Sequence, residues 1–206
     1  MENLEKVFKD KRVLVTGHTG FKGSWLTLWL VRLGAKVIGL SDDVPTTPSN
    51  FEVNNISKII EDNRVDIRNY DLVSNIVNSA NPDFVFHLAA QSLVRESYDQ
   101  PLKTFEINAM GTANILEALI GRDKKVTVVM ITSDKAYDNV EWVWGYKETD
   151  RLGGKDPYSA SKGMAELVIK TYFESYIKDK TDKITLGIAR AGNVIGGGDW
   201  AKDRIV

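Results

Sequence analysis

The chain has 206 residues, with 27 Lys+Arg against 28 Asp+Glu, a formal net charge of −1 and 43% hydrophobic residues. At about 150 residues per domain, this length predicts one large domain or one and a fraction. The balanced charge of the chain gives no positive surplus for holding nucleic acid or an anionic membrane. It has no apolar run near the roughly 20 residues of a membrane span, no signal-peptide pattern at its acidic start and no cysteine, so we expect a cytoplasmic protein without disulfides, thiol nucleophiles or a metal site.

Strands and helices alternate along the chain. The compact apolar run 12–16 predicts a buried strand, and apolar spacing over 21–33 predicts a helix whose Trp25 and Trp29 pack in the core. The other elements expected, in chain order, are a helix at about 2–9, a strand at 36–40, a loop to about 55, a strand ending near 66, a helix at about 70–80, a strand at 84–88, helices within 93–121, a strand at 126–132, a helix at about 157–179 and a strand at 184–189. Mostly apolar strands alternating with helices predict an α/β fold, a Rossmann-type doubly wound parallel sheet with helices on both faces.

Three glycines, Gly17, Gly20 and Gly23, lie between the first strand and the helix that follows it. Such glycines permit a tight turn, close approach of backbone to a pyrophosphate, and close packing of helix on sheet. The alternative is a plain glycine-rich turn, which the strand-turn-helix context disfavours. The spacing therefore predicts a dinucleotide site, with His18 in the turn as a structural residue.

The adenosine end of that site falls at the next two strand ends. A dinucleotide fold usually presents an acid after the second strand, whereas this chain has Ser41 followed by Asp42 and Asp43. Two acids without an arginine in that loop favour NAD over NADP, and a solvated acidic loop is the alternative. Asp66, near the end of the third strand, is a candidate acceptor for the adenine amino group.

Tyr158 and Lys162 lie four residues apart at the start of a predicted helix, on one face. An ammonium near a phenol favours the phenolate, lowering its pKa from about 10 and making it a candidate general base. Ser133, Asp134 and Lys135 end the fifth strand at the edge where such folds bind ligands. Ser133 can share a substrate hydroxyl with Tyr158, and the other two offer an acid and a second base. The alternative for Asp134 and Lys135 is a solvated turn.

Motifs spread along essentially the whole chain carry a family resemblance: Thr16-Gly17-x-x-Gly20-Phe21-x-Gly23, His87-Leu88-Ala89-Ala90, Asn108 with Gly111-Thr112, Tyr158-x-x-x-Lys162, and Arg190-x-x-Asn193-Val194. Together they resemble the extended short-chain dehydrogenase/reductase family. Within it, segments 17–25 and 133–139 are most similar to the nucleotide-sugar 4,6-dehydratases that act on CDP-glucose. Dehydratases of this kind generally carry Thr-Asp-Glu after the fifth strand, and in this chain Lys135 replaces the Glu. A lysine must be desolvated or crowded by positive charge to act as a base near neutral pH.

The resemblance implies a lyase reaction in which NAD is reduced and reoxidised within one turnover. Tyr158, held by Lys162, removes the proton of the sugar 4-hydroxyl while hydride leaves C4. Lys135 takes the C5 proton, Asp134 protonates the departing C6 hydroxyl, and hydride returns to C6. The product is a 4-keto-6-deoxy sugar.

The resemblance also implies binding residues, with Asn108 as the family's structural asparagine beside the active site. The cofactor contacts expected are Gly17, Thr19, Gly20, Phe21, Lys22, Gly23, Ser41, Asp66, Ile67, Leu88, Ala89, Ala90, Asn108, Thr132, Tyr158 and Lys162. The substrate contacts expected are Gln91, Ser133, Asn193 and Arg204, of which Asn193 would contact the nucleotide phosphates.

Two other functions remain open. A nucleotide-sugar 4-epimerase shares every cofactor motif and does not need Asp134 or Lys135. A nucleotide-sensing module without turnover would have no use for a poised Tyr158.

Two further expectations follow from the resemblance. Family members pair into homodimers through helices that correspond to 101–120 and 157–179. They also continue beyond the Asn193-Val194 signature into a smaller lobe, so we expect residues 1–206 to form an NAD-binding domain with the catalytic residues that is inactive alone.

Overall fold

Six parallel strands form one sheet in the order β3-β2-β1-β4-β5-β6, in a computed structural model that describes residues 2–180 and 182–202. The strands are β1 Arg12–Thr16, β2 Lys36–Ser41, β3 Glu61–Arg64, β4 Phe84–His87, β5 Val126–Ser133 and β6 Ile184–Ala191. The chain reverses its winding direction between β1 and β4, which is the topological switch point where such sheets bind ligands. The predicted doubly wound fold is confirmed.

Helices connect the strands and cover both faces. They are α1 Glu2–Phe8, α2 Phe21–Arg32, α3 Asn50–Val53, α4 Tyr70–Ala80, α5 Val94–Asp99, α6 Pro101–Phe105, α7 Gly111–Leu119 and α8 Pro157–Tyr172. A π-helical turn at Glu106–Met110 joins α6 to α7, and a second at Phe173–Ile177 continues α8. Among the described residues, no helix has the length and apolarity needed to cross a membrane.

The hydrophobic core lies in two layers, one on each face of the sheet. Leu14 of β1 belongs to the larger cluster, and its neighbours Val13 and Val15 belong to the other cluster. Side chains of a strand alternate between faces, so buried residues at consecutive positions mean that both faces are covered. This burial holds β1 rigidly in the centre of the sheet, with its carboxyl end at the glycine turn.

The edge strand β3 departs from the predicted apolar pattern, because its four residues are Glu-Asp-Asn-Arg and none is buried. An edge strand has one free side, so polar side chains there are tolerated and discourage pairing with another chain. The strand also ends at Arg64, two residues before the predicted end.

The predicted burial of Trp25 and Trp29 in the core is wrong. These side chains are 51% and 49% exposed, and α2 instead buries Gly23, Ser24, Thr27 and Leu30. The small residues let the helix approach the sheet closely, which turns the larger indole rings outward. The apolar spacing located the helix and the inward-facing Leu30 correctly, and it misplaced the two tryptophans.

Candidate functional site

The glycine turn between β1 and α2 leaves no room for side chains. Gly17 has φ +73°, and a Cβ there would lie 2.7 Å from the Ala89 backbone nitrogen. A Cβ on Gly23 would overlap the Gly17 carbonyl oxygen. Gly20 is the N-cap of α2 and provides no side-chain cap, so the first amides of a 12-residue helix point into a bare concave turn. This arrangement suits a pyrophosphate.

Gly23→Ala tests the close packing of this turn. Because the new methyl group would overlap the Gly17 carbonyl, we expect NAD affinity to fall by about tenfold or more and stability by about 1–3 kcal/mol. Isothermal titration with NAD and thermal unfolding measure the two effects. Gly187→Ala in β6 is the matched control, because a Cβ there has no atom within 4 Å. Equal NAD affinity in wild type and Gly23→Ala would contradict the assignment.

The side chains beside the turn hold it to the rest of the sheet. His18 is fully buried, and its Nε2 lies 2.8 Å from Oδ1 of Asp62. Burial lowers its pKa, and hydrogen bonding to Asp62 opposes that shift. Thr19 Oγ1 donates a 2.6 Å hydrogen bond to the Asp43 carbonyl oxygen. The structure thus gives His18 the structural role expected of it.

The adenosine end contains one buried hydroxyl without a hydrogen-bond partner among the described residues, that of Ser41. The Asp66 carboxylate is held by Arg68, which lowers its pKa, and Arg68 also contacts Glu106 at 3.0 Å. Ile67 is buried beside Gly111. Ser41 therefore offers an unused polar group where a ribose is predicted, and the adenine contact of Asp66 stays a prediction.

The segment after β4 borders the glycine turn. The backbone amides of Leu88 and Ala89 each donate to Thr16 Oγ1 at 3.2 Å. These hydrogen bonds hold residues 88–90, which are half-buried, beside Gly17. Small apolar side chains at this strand end, including Ala90, fit the predicted cofactor lining.

A buried polar network lies behind this lining and connects it to α8. Asn108 Nδ2 donates to the Gln91 carbonyl at 3.0 Å and to Ser161 Oγ at 2.8 Å, and its Oδ1 accepts from the Gln91 amide at 2.8 Å. The Gln91 side chain donates to Thr104 Oγ1 at 3.0 Å. Both side chains are committed to contacts within the chain, which agrees with a structural role for Asn108. Their predicted ligand contacts stay predictions.

The end of β5 carries the predicted acid and base on a single tight turn. Ser133 caps a 3₁₀ turn at 134–136: its Oγ accepts from the Lys135 amide at 3.2 Å and donates to Asp134 Oδ1 at 3.0 Å. Ser133 is buried, whereas Asp134 and Lys135 are exposed. The turn packs against α8. Burial would favour the neutral amine of a lysine, but the described residues do not bury Lys135.

Tyr158 and Lys162 lie together at the buried start of α8. They are 9% and 7% exposed, and the Lys162 Nζ lies 5.9 Å from the centre of the Tyr158 ring. Burial, with the nearby Lys22 charge, lowers the pKa of Lys162 to about 8. Burial and Lys162 together lower the pKa of His87 to about 3. At pH 7, therefore, the Lys162 ammonium on α8 is charged, and the nearby His87 imidazole is neutral.

The predicted substrate residues at the end of the chain are only partly described. Asn193 is exposed in the segment that follows β6. That segment returns to the glycine turn: Trp25 Nε1 donates to the Gly197 carbonyl at 2.9 Å, and a Cβ at Gly196 would lie 3.3 Å from the Phe21 ring. Arg204 lies outside the described residues.

The sequence reasoning missed one buried group in this region, the Glu166 carboxylate. It accepts from Thr132 Oγ1 at 2.6 Å and forms an ion pair with Arg190. The spacing was a usable signal, because Glu166 follows Lys162 by four residues and Lys162 follows Tyr158 by four. All three side chains therefore lie on one face of the helix. Spacing alone does not tell a buried acid from a solvated one, because burial depends on the partner from another strand.

Comparison with known proteins identifies the family of the chain. A family model described as GDP-mannose 4,6 dehydratase matches residues 14–185. CDP-glucose 4,6-dehydratase of Salmonella typhimurium is 50% identical over 202 residues, which are 97% of this chain and 56% of that protein. GDP-mannose 4,6-dehydratase of Vibrio cholerae is 31% identical over 178 residues, 81% of this chain and 46% of that protein.

Solved structures show the same fold. An epimerase from Methanothermobacter thermautotrophicus has a TM-score of 0.78 and 28% identity, covering 96% of this chain and 56% of that one. A dTDP-glucose 4,6-dehydratase double mutant from Streptomyces venezuelae, with NAD and DAU bound, has a TM-score of 0.71 and 25% identity, covering 86% and 54%. The chain thus spans about half the length of the relatives it matches. On its sequence motifs, its sheet order and these matches, the chain belongs to the extended short-chain dehydrogenase/reductase family, in the group of nucleotide-sugar dehydratases and epimerases.

Proposed function

We propose that this chain carries the NAD-binding and catalytic residues of a CDP-glucose 4,6-dehydratase. The observation that carries the proposal is the turn Ser133-Asp134-Lys135 at the end of β5, packed against the helix that bears Tyr158 and Lys162. The 50% identity to the Salmonella typhimurium enzyme supports the same substrate.

The residues present fit NAD as the cofactor. The glycine turn leaves no room for a Cβ at Gly17 or Gly23, and the first amides of α2 have no side-chain cap. The Ser41 hydroxyl is buried and has no hydrogen-bond partner among the described residues. Gly17, Gly20 and Gly23 would hold the pyrophosphate, and Ser41 would face the adenosine ribose. The chemistry that NAD would supply when bound is the acceptance of hydride from the sugar C4 and its return to C6.

The side chains of this chain supply the proton transfers. The Tyr158 phenolate takes the proton of the 4-hydroxyl, and the Lys162 ammonium stabilises that phenolate. The resulting C4 ketone makes the C5 proton acidic, and Lys135 accepts that proton and returns it to C5 when hydride adds at C6. Asp134 gives a proton to the C6 hydroxyl, which leaves as water while a C5–C6 double bond forms. Ser133 hydrogen-bonds the oxygen at C4.

Incubation with NAD and nucleotide sugars tests the function. The chain is assayed as it stands and extended at its C-terminus by the remaining residues of the Salmonella typhimurium relative. We expect CDP-glucose to give the alkaline absorbance of a 4-keto sugar with the extended protein, termed the active form, and none with residues 1–206 alone. Product only from a UDP-, dTDP- or GDP-sugar would contradict the substrate, and activity of the 206-residue chain would contradict its expected inactivity.

We also propose a homodimer through two neighbouring helical segments. Four apolar side chains on α6, the π-helical turn after it and α8 are exposed: Leu102 76%, Met110 57%, Met164 42% and Leu167 54%. Leu102 and Met110 lie on segments that pack against α8, which carries Met164 and Leu167. Large exposed apolar side chains in one region are typical of a protein interface.

Leu167→Glu tests the dimer. A charge placed in the centre of an apolar interface loses its water shell without gaining a partner, so we expect a monomer at micromolar concentration. Light scattering coupled to size exclusion measures the mass. Leu72→Glu, at a position 46% exposed on α4, is the matched control and should leave the dimer intact. A wild-type monomer, or a dimeric Leu167→Glu, would contradict this interface.

A further inference from the structure

A buried ion pair joins the catalytic helix to two strands. The Glu166 side chain on α8 is 2% exposed, and that of Arg190 on β6 is 17% exposed. Arg190 donates to Glu166 through Nε at 2.7 Å and through Nη2 at 2.6 Å, a bidentate contact. Thr132 on β5 donates its hydroxyl to the same carboxylate at 2.6 Å. Thr132 and Arg190 are also register partners in the sheet.

The other side of Arg190 faces a column of aromatic rings. Its guanidinium carbon lies 4.6 Å from the centre of the Tyr137 ring. The Tyr137 ring is 5.1 Å from that of Tyr146, which is 5.3 Å from Trp142. Arg190 therefore contacts a buried carboxylate and an aromatic face at once, which the planar guanidinium allows and an ammonium does not.

These contacts enclose the turn that carries Asp134 and Lys135. Thr132, two residues before Asp134, is bonded to Glu166, and Tyr137, two residues after Lys135, is stacked on Arg190. Glu166 is also two helical turns from Tyr158, on the same helix. One ion pair thus fixes both ends of the turn relative to the helix that bears the phenol and the ammonium.

We propose that Glu166 and Arg190 are positioning residues, which set the turn Ser133-Asp134-Lys135 in register with Tyr158 and Lys162 for the elimination step. The proposal rests on the proposed dehydratase function. The pair has no contact with substrate in this role, and it acts by holding Thr132 and Tyr137.

The ion pair suits this role because its two hydrogen bonds fix one relative orientation of Arg190 and Glu166. A carboxylate buried to this extent must keep all its donors, since an unpaired buried charge is costly. The Glu166 carboxylate raises the pKa of Arg190, so the guanidinium stays charged. Small displacements of reacting groups reduce rates by large factors, so a turn that loses one anchor should slow catalysis without loss of the fold.

Tyr137→Leu and Tyr137→Phe make the mildest test, because they leave the buried ion pair in place. In the active form we expect Tyr137→Leu to lower kcat roughly 10- to 100-fold with KM and NAD affinity nearly unchanged, and Tyr137→Phe, which keeps the ring, to stay near wild type. Because elimination slows and oxidation at C4 does not, reduced nicotinamide should accumulate in the steady state, and its absorbance measures this. Wild-type kcat in Tyr137→Leu would overturn the proposal.

Glu166→Gln and Arg190→Lys test the pair itself, with Asp83→Asn as the control. Asp83 directly precedes β4, at the amino ends of the strands, whereas the glycine turn follows the carboxyl end of β1. Its carboxylate pairs with Lys124. A purely structural role predicts a lower unfolding temperature with normal kcat per folded molecule, and that result would overturn the proposal. We expect lower kcat in both variants at temperatures where both are folded.

Hydrogen exchange separates this proposal from the proposed function. The amide of Lys135 donates to Ser133 Oγ, and that of Tyr137 donates to the Asp134 carbonyl at 3.1 Å. We expect faster exchange at 134–137 in Tyr137→Leu and Glu166→Gln than in wild type or Asp83→Asn. This readout requires no turnover, so a protein that makes no 4-keto sugar refutes only the function, and unchanged exchange refutes the positioning role.

Discussion

Replacing Tyr158 by Phe should reduce formation of the 4-keto sugar by about 100- to 10,000-fold, the range of general acid–base catalysis, and leave NAD affinity nearly unchanged. The ring, which is 9% exposed, keeps its packing in the variant, and only the hydroxyl that exchanges the substrate proton is lost. Lys162 remains in place, and because its pKa is lowered to about 8, it stays mostly charged at pH 7. As the pH rises through 8, the ammonium loses its proton and its support for the phenolate declines.

Steady-state turnover of CDP-glucose and a separate NAD titration measure the two properties in the active form. Tyr70→Phe is the matched control, because Tyr70 lies at the start of α4 and is 41% exposed. That variant should turn over as wild type does. Unchanged turnover in Tyr158→Phe would refute the base assignment, and a parallel loss of NAD binding would mean that the phenol holds the cofactor rather than the proton.

Asp134→Asn and Lys135→Met should each abolish dehydration, with losses of about 100-fold or more, while exchange of hydride at C4 continues. Both side chains are exposed on the 3₁₀ turn after Ser133, and the proposed function assigns them to the C5 proton and the C6 hydroxyl. The amide at 134 gives no acidic proton, and the thioether at 135 accepts none.

The same pair of variants distinguishes the competing functions. A 4-epimerase needs neither side chain and would keep its rate in both, and a sensing module would show no turnover in wild type. Product analysis by NMR, with C5 exchange from deuterated water, follows the elimination step directly. Lys36→Met, at the exposed first residue of β2, and Asp71→Asn, in the exposed first turn of α4, are the matched controls, because neither belongs to the predicted site. Normal dehydration in Asp134→Asn or Lys135→Met would refute the acid and base roles of these two side chains.

Local sequence determined most of the fold. The apolar runs of the central strands and the glycines that follow β1 and α2 specify their elements through short-range physics, since apolar runs favour buried strands and a helix ends at a left-handed glycine such as Gly34, with φ +79°. The parallel sheet then follows from alternation. The position of Ser133 at a strand end and the shared helix face of Tyr158 and Lys162 could also be predicted from the sequence, because each depends only on neighbours along the chain.

Tertiary structure alone decided which groups meet. The same apolar spacing that located α2 suggested that Trp25 is buried, whereas the helix turned its small residues to the sheet because they pack closest. The ion pair between Glu166 and Arg190 joins residues 24 positions apart. It forms because α8 packs beside β6, and the residues of neither element specify that packing by themselves. Burial and the charge of Lys22 set the pKa of Lys162. Local patterns in the chain thus predicted the elements and the candidate reacting residues. The packing of those elements set the burial, charge and mutual positions of these residues, because such properties depend on contacts between residues distant in the chain.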